Sequence, residues 1–115
     1  MDIESYRNYC ISLPGVTESF PFDENALCFK VGNKIFAILH VETFEFINLK
    51  CDPEKAIELR EEHEGIRPGW HMNKKHWNSV HHAEGVDDQL VFELTKHSYD
   101  LIKASLPKKI RESIQ

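Results

Sequence analysis

Residues 26 to 41, ALCFKVGNKIFAILHV, constrain the fold more than any other stretch of the chain, because their apolar side chains recur with a period of two. Leu27, Phe29 and Val31 share one face of a strand, Gly32-Asn33 is a tight hairpin turn dipeptide, and Lys34 to Val41 returns as a second strand. That return strand carries Ile35, Ala37, Leu39 and Val41 on one face and Phe36 and Ile38 on the other. A strand apolar on both faces belongs inside a sheet rather than at its edge. Glu42-Thr43 then turns the chain into a third strand, Phe44 to Lys50. An antiparallel, hairpin-connected sheet is therefore the framework, and the remaining elements must cover it.

The helices are marked by their ends. Ile3, Tyr6, Cys10 and Leu13 fall at helical spacing behind Asp2, so an opening helix runs to about Ser12, where Leu13-Pro14-Gly15 ends it and a loop follows to residue 25. Asp52-Pro53-Glu54 combines a capping carboxylate with proline at the first helical position, predicting a short acidic helix over 53–63 that Gly65 closes. His76 to His82 alternates weakly and reads as a fourth strand. Asp87-Asp88 caps the longest helix, which reaches Ser105 and is stopped by Pro107. The order is α-β-β-β-α-β-α, the pattern of an α+β sandwich with its helices on one face of an antiparallel sheet.

Composition narrows the class. At 115 residues, 41% hydrophobic and 29% charged, the chain reads as one domain, 1–115, with an ordinary core rather than as a disordered segment. Cys10, Cys28 and Cys51 form no metal or disulfide spacing, and MDIESYRNYC is acidic where an export signal is basic and then apolar. Both point to a cytoplasmic protein with reduced thiols. No apolar run approaches the roughly 20 residues of a membrane span, so no membrane partner is expected.

Two blocks carry a resemblance. RPGWHMNKKHWNSV (67–80) followed by ELTKHSYDLIKASLPKK (93–109) resembles the signature of the MmcQ/YjbR family. LPGVTESFPF and ALCFKVGNKIFAIL are similar to the first half of that family. The resemblance covers essentially the whole chain. It implies a CyaY-like two-layer α/β sandwich and a DNA-binding role. The same fold resemblance raises iron binding along an acidic ridge, for which the candidates are Glu54, Glu58, Glu61, Glu62 and Glu64, the first four along one side of the second helix; a solvated outer face is the commoner meaning of such a run.

The chemistry concentrates in EGIRPGWHMNKKHWNSVHH, residues 64–82. Its histidines suggest a metal, but His71 and His76 fit neither helical nor strand spacing, and adjacent His81 and His82 point to opposite faces of a strand. No metal site and no cofactor are predicted. Ser79 lacks a strained nucleophile turn, and the five glycines are scattered singly, so neither nucleophilic catalysis nor a phosphate loop is indicated and a non-enzymatic role is expected.

Nucleic-acid contact has the best local support. Arg67, Lys74 and Lys75 are fixed cations, no carboxylate interrupts Ile66 to Ala83, His71 and His76 can donate to phosphates, and Trp70 can stack on a base. Trp77 is expected to anchor the segment to the core instead. The net charge of −5 opposes a polyanion. Three or four phosphate contacts imply a log–log salt slope of only about −3 to −4, hence weak and salt-sensitive binding.

The alternative is a protein- or small-ligand-interaction module without affinity for nucleic acid. It is favoured by the acidic balance and by Phe92, Lys96, Tyr99 and Lys103, a stripe on the last helix away from its core face of Leu90, Val91, Leu94, Ser98, Leu101 and Ile102. Coverage of Phe92 and Tyr99 by the opening helix or by loop 14–25 is the simpler expectation for that stripe.

Overall fold

A computed structural model describes residues 1–114. Ten elements follow one another: α1 (Ile3–Ser12), β1 (Val16–Ser19), β2 (Ala26–Val31), β3 (Lys34–His40), β4 (Ile47–Lys50), α2 (Pro53–Glu62), β5 (Ile66–Pro68), β6 (Trp77–Val80), α3 (Asp88–Ser105) and α4 (Lys108–Ser113). The strands form one antiparallel sheet in the order β1-β2-β3-β4-β6-β5. The α+β class with helices over one sheet face is thus observed, and β3 is internal, as its two apolar faces require. Gly32 and Asn33 both have positive φ, 55° and 66°, which closes β2 onto β3 as a two-residue hairpin of the type that matches strand twist.

The side-chain rows separate the two faces. Leu27, Leu39, Ile47, Val80 and Ile66 are cross-strand neighbours, all buried on the helix side. The central helix α3 lies over them. Its Ser98 hydroxyl donates to the Phe36 carbonyl at 2.6 Å and accepts from the Lys50 amide at 2.9 Å. Phe36 is the extra residue where the β2–β3 register shifts, and Ser98 supplies the partner that the ladder does not. On α1, the fully buried Tyr6 donates its hydroxyl to Thr95 Oγ1 (2.8 Å), because the Thr95 hydroxyl itself donates to the Val91 carbonyl.

Three differences from the sequence expectations have local causes. Val16–Ser19, inside the expected loop, is an edge strand whose Glu18 forms a two-toothed ion pair with Arg7 of α1; its sequence, VTES, has no apolar alternation to announce it. The third strand begins at Ile47 rather than Phe44, because Phe44 takes a left-handed φ of 41°. There its ring packs on Tyr6 and His82, and its carbonyl accepts from His82 Nε2. β5 is three residues long and α4 follows Pro107 directly, both too short to leave a periodic signal.

The Phe92/Tyr99 stripe is covered, as the simpler expectation held. Tyr99 is buried and donates to the Pro14 carbonyl at 2.5 Å, while Phe92 packs on Tyr6 and Tyr9. Lys96 and Lys103 lie over the Tyr99 ring at 5.6 and 5.8 Å.

Candidate functional site

No described helix covers the opposite sheet face. Its central row crosses all six strands: Ser19, Cys28, Ile38, Asn48, Ser79 and Arg67. Asn48 and Ser79 are nonetheless only 6% and 2% exposed. A loop, Gly69 to His76, folds back over them. Ser79 Oγ donates to Asn48 Oδ1 at 2.5 Å and accepts from the Trp70 amide at 2.9 Å, while Asn48 Nδ2 donates to the Trp70 carbonyl at 3.1 Å. Two buried side chains are therefore spent on clamping the backbone of one residue. The Trp70 indole is left 61% exposed.

The loop is fastened from the other side of the sheet as well. Arg60 of α2 donates to the carbonyls of Lys74 and Trp77 and to Asn78 Oδ1. Gly69 has no room for a side chain, since a Cβ there would lie 2.7 Å from Trp77 Cβ and 3.0 Å from its carbonyl oxygen. His71 adopts a left-handed φ of 58°, and the Asn73 side chain caps Lys75 at 2.9 Å, so the segment is a succession of tight turns.

A concavity of about 500 Å³ lies beside the loop, with Phe46, Pro68 and Trp70 as apolar walls and His40, Glu45, Arg67 and His81 contributing polar groups. A second lobe of about 170 Å³ shares His40, Phe46 and Trp70 with it and reaches Ile38 and Asp23. Asp23 belongs to the loop from β1 to β2, where its Oδ1 accepts from the Asn25 and Ala26 amides and where Phe20 and Phe22 are exposed. The cleft thus lies between loops from opposite ends of the sheet. Phe46 meets Trp70 edge to face, with centroids 6.0 Å apart and planes at 78°, and stacks obliquely on His81 at 5.0 Å.

The polar edge is internally paired. Arg67 donates one guanidinium nitrogen to Glu84 and another to His81 Nε2 at 3.0 Å, and Glu84 lies 3.1 Å from His81 Nδ1. Because a guanidinium can only donate, His81 Nε2 must be the acceptor and Nδ1 the protonated nitrogen facing the carboxylate. Burial pushes the His81 pKa below its usual value, the Arg67 charge pushes the same way, and Glu84 and Glu45 oppose them.

The residues singled out from the sequence are distributed accordingly. Trp70, His71, Lys74 and Lys75 are exposed together on the loop, with Lys74 Nζ donating to the Gly69 carbonyl at 3.1 Å. His76 is half-buried, and its carbonyl accepts from the Cys51 amide at 2.8 Å. Trp77 lies in β6, partly buried. Arg67 is committed to Glu84 and His81.

Sequence reasoning passed over His40, Glu45, Phe46 and Asn48. Their only signal was a cluster of polar and aromatic residues after a strand, which has no spacing rule. Among the described residues, no group of three or more His, Cys, Asp or Glu side chains is placed to hold a metal ion, and Glu54, Glu58, Glu61 and Glu62 are exposed on α2. Cys10 and Cys51 are buried free thiols raised by that burial to about 12 and about 11. No described helix is long and apolar enough to cross a membrane.

Fold and site together define a small α+β domain with one sheet face sealed by helices and the other shaped into a cleft by loops. The chain belongs to the YjbR family, whose model matches residues 11–101. It is 34% identical to the uncharacterised protein YjbR of Escherichia coli K12 over 97% of this chain and 96% of that one. It is also 34% identical to the uncharacterised YbdF of Escherichia coli O157:H7, over 97% and 93%. The crystal structure of Deinococcus radiodurans protein DR2400, described as a DUF419 domain, superposes with a TM-score of 0.91 at 36% identity, covering 97% of this chain and 86% of that one. A Pseudomonas syringae protein shares the fold at a TM-score of 0.76 and 23% identity, covering 89% of this chain and 99% of that one.

Proposed function

We propose that this protein is a non-enzymatic cytoplasmic binding domain whose helix-free sheet face takes a small ligand in the cleft between Phe46, Trp70 and His81. The observation that carries the reading is a cavity of about 500 Å³, a size usual for small-molecule sites, next to a loop clamped at the Trp70 backbone by two buried side chains. Such clamping keeps an exposed tryptophan in one place, which lowers the entropic cost of binding. Three buried free thiols suit a reducing compartment. Titrating the labelled protein with a library of single-ring compounds, followed by amide and indole NMR shifts, tests the reading. Hits are expected to move Phe46, Trp70 and His81 together. A library with no hits there would overturn it.

A second reading is weak binding of DNA by segment 67–82, supported by the joint exposure of Trp70, His71, Lys74 and Lys75 on one loop, with half-buried His76 beside them. Arg67 would add less to such binding than a free cation, because Glu84 already neutralises its charge. Fluorescence anisotropy with short single- and double-stranded DNA at low and physiological salt is the test. Binding that disappears on Lys74→Glu plus Lys75→Glu supports this reading, and no binding at low salt removes it.

A further inference from the structure

We propose that the cleft selects a small organic cation, an ammonium or similar group carried on a single ring or short apolar body; the proposal rests on the small-ligand reading above. The charge of the lining points that way. Asp23 and Glu45 bring carboxylates to its two lobes. The one fixed cation among the lining residues, Arg67, has its charge matched by Glu84 directly behind it. A polar group entering between Asp23 and Glu45 therefore meets a net negative field, which a low-dielectric apolar wall strengthens.

The hydrogen-bond inventory agrees. An anion needs donors with unmatched positive charge: Asn48 Nδ2 and Ser79 Oγ hold Trp70 and each other, and Arg67, with two of its five N–H groups on Glu84 and His81, already has its charge met by a carboxylate. The His40 Nδ1 lone pair receives the Thr43 amide at 3.4 Å, so what His40 and Thr43 can still offer is one ring N–H and one hydroxyl. Acceptors remain open, because among the described residues Glu45 makes no hydrogen bond and only one oxygen of Asp23 is used.

The aromatic walls supply the rest. Phe46 and Trp70 meet at 78°, a corner rather than a stack, and both rings line the cavity. The face of an aromatic ring is its negative side, and a cation within about 6 Å of a Trp or Phe centroid is attracted to it. Two carboxylates, two aromatic walls and a single guanidinium whose charge is already met by Glu84 are the recognition chemistry of an organic cation, and the cavity accommodates one ring bearing such a group.

The test compares three single-ring probes of similar size, benzylammonium, benzyl alcohol and benzoate, titrated into the full chain and followed by the Trp70 indole and by the Phe46 and His81 amides. The cation is expected to bind about tenfold more tightly than the alcohol, with benzoate weaker still. Asp23→Asn plus Glu45→Gln is expected to level the cation with the alcohol while the alcohol keeps its own affinity, and Trp70→Ala to remove all binding. Benzoate or benzyl alcohol shifting the cleft residues as strongly as the cation would overturn the cation proposal and leave the small-ligand reading standing. Failure of all three probes to shift Phe46, Trp70 or His81, or shifts confined to other residues, would overturn both.

Discussion

On the helix side of the sheet, Leu27, Leu39, Ile47, Val80 and Ile66 make a continuous dry row under α3 and its neighbours. On the other side, offset by one residue along each strand, Ser19, Cys28, Ile38, Asn48, Ser79 and Arg67 make an equally continuous row, over which a loop folds at Asn48 and Ser79. A helix brings its own backbone hydrogen bonds satisfied and can lie on apolar side chains. A loop arrives with bare N–H and C=O groups, and something in the sheet must receive them. Asn48 and Ser79 do that for Trp70. The first solution stores stability, and the second leaves a concave surface with an aromatic residue fixed at its rim.

The comparison can be broken from either side. Phe29→Ala, in the fully buried helix-side core, is expected to cost about 3–5 kcal/mol in urea unfolding. A loss below about 1 kcal/mol would mean that the helix side is not the main store of stability. Ser79→Ala should cost less, about 1–3 kcal/mol, by leaving the Trp70 amide and Asn48 Oδ1 without their partner. It should also speed hydrogen exchange at the Trp70 amide, whereas unchanged exchange would show that the clamp does not hold the loop.

Acidification should act mainly through histidines that the native state keeps neutral. His81 and His97 are both held below 6.5, chiefly by burial, and His97 Nε2 accepts from the Asp52 amide at the start of α2. Just below 6.5 the unfolded chain binds more protons than the folded one. Stability from these groups is therefore complete above that pH and declines as pH falls beneath it. Denaturant midpoints measured from about pH 7.5 down to about 5.5 should fall, and His81→Asn should shallow the fall. A flat profile would contradict the pairing deduced for Arg67, His81 and Glu84. The smallest effect on stability is expected from Trp70→Ala, within about 0.5 kcal/mol, since the clamp holds its backbone and the indole is mostly in solvent. A large destabilisation there would make Trp70 a structural residue rather than a binding one.

Much of the helix-side architecture was legible. The hairpin Ala26–His40 and the three helix starts follow from local rules: Asp2, Asp52 and Asp87 each accept from an amide three residues on, at 2.7, 3.2 and 2.8 Å. The edge strand β1 and the three-residue β5 were not legible, because pairing with a neighbour rather than their own pattern makes them strands. The stretch 64–82 stood out in the sequence, and loop 69–76 lies within it. Its partners in the cleft were not, since Asp23, His40, Phe46 and Asn48 come from distant stretches that share no spacing.

The sequence by itself determined the antiparallel hairpin, the capped helices, the family and the clustering of cations and tryptophans between residues 67 and 77, all of them properties of neighbours along the chain. What that cluster faces was decided only in three dimensions. The run from Ile66 to Ala83 contains no carboxylate, yet Glu84 turns back onto Arg67 and His81, and Glu45 enters the same cleft from the β3–β4 loop. Electrostatic interaction depends on distance through space, so a stretch free of acid in sequence becomes, once folded, the basic edge of a cleft whose charge is balanced by carboxylates from elsewhere.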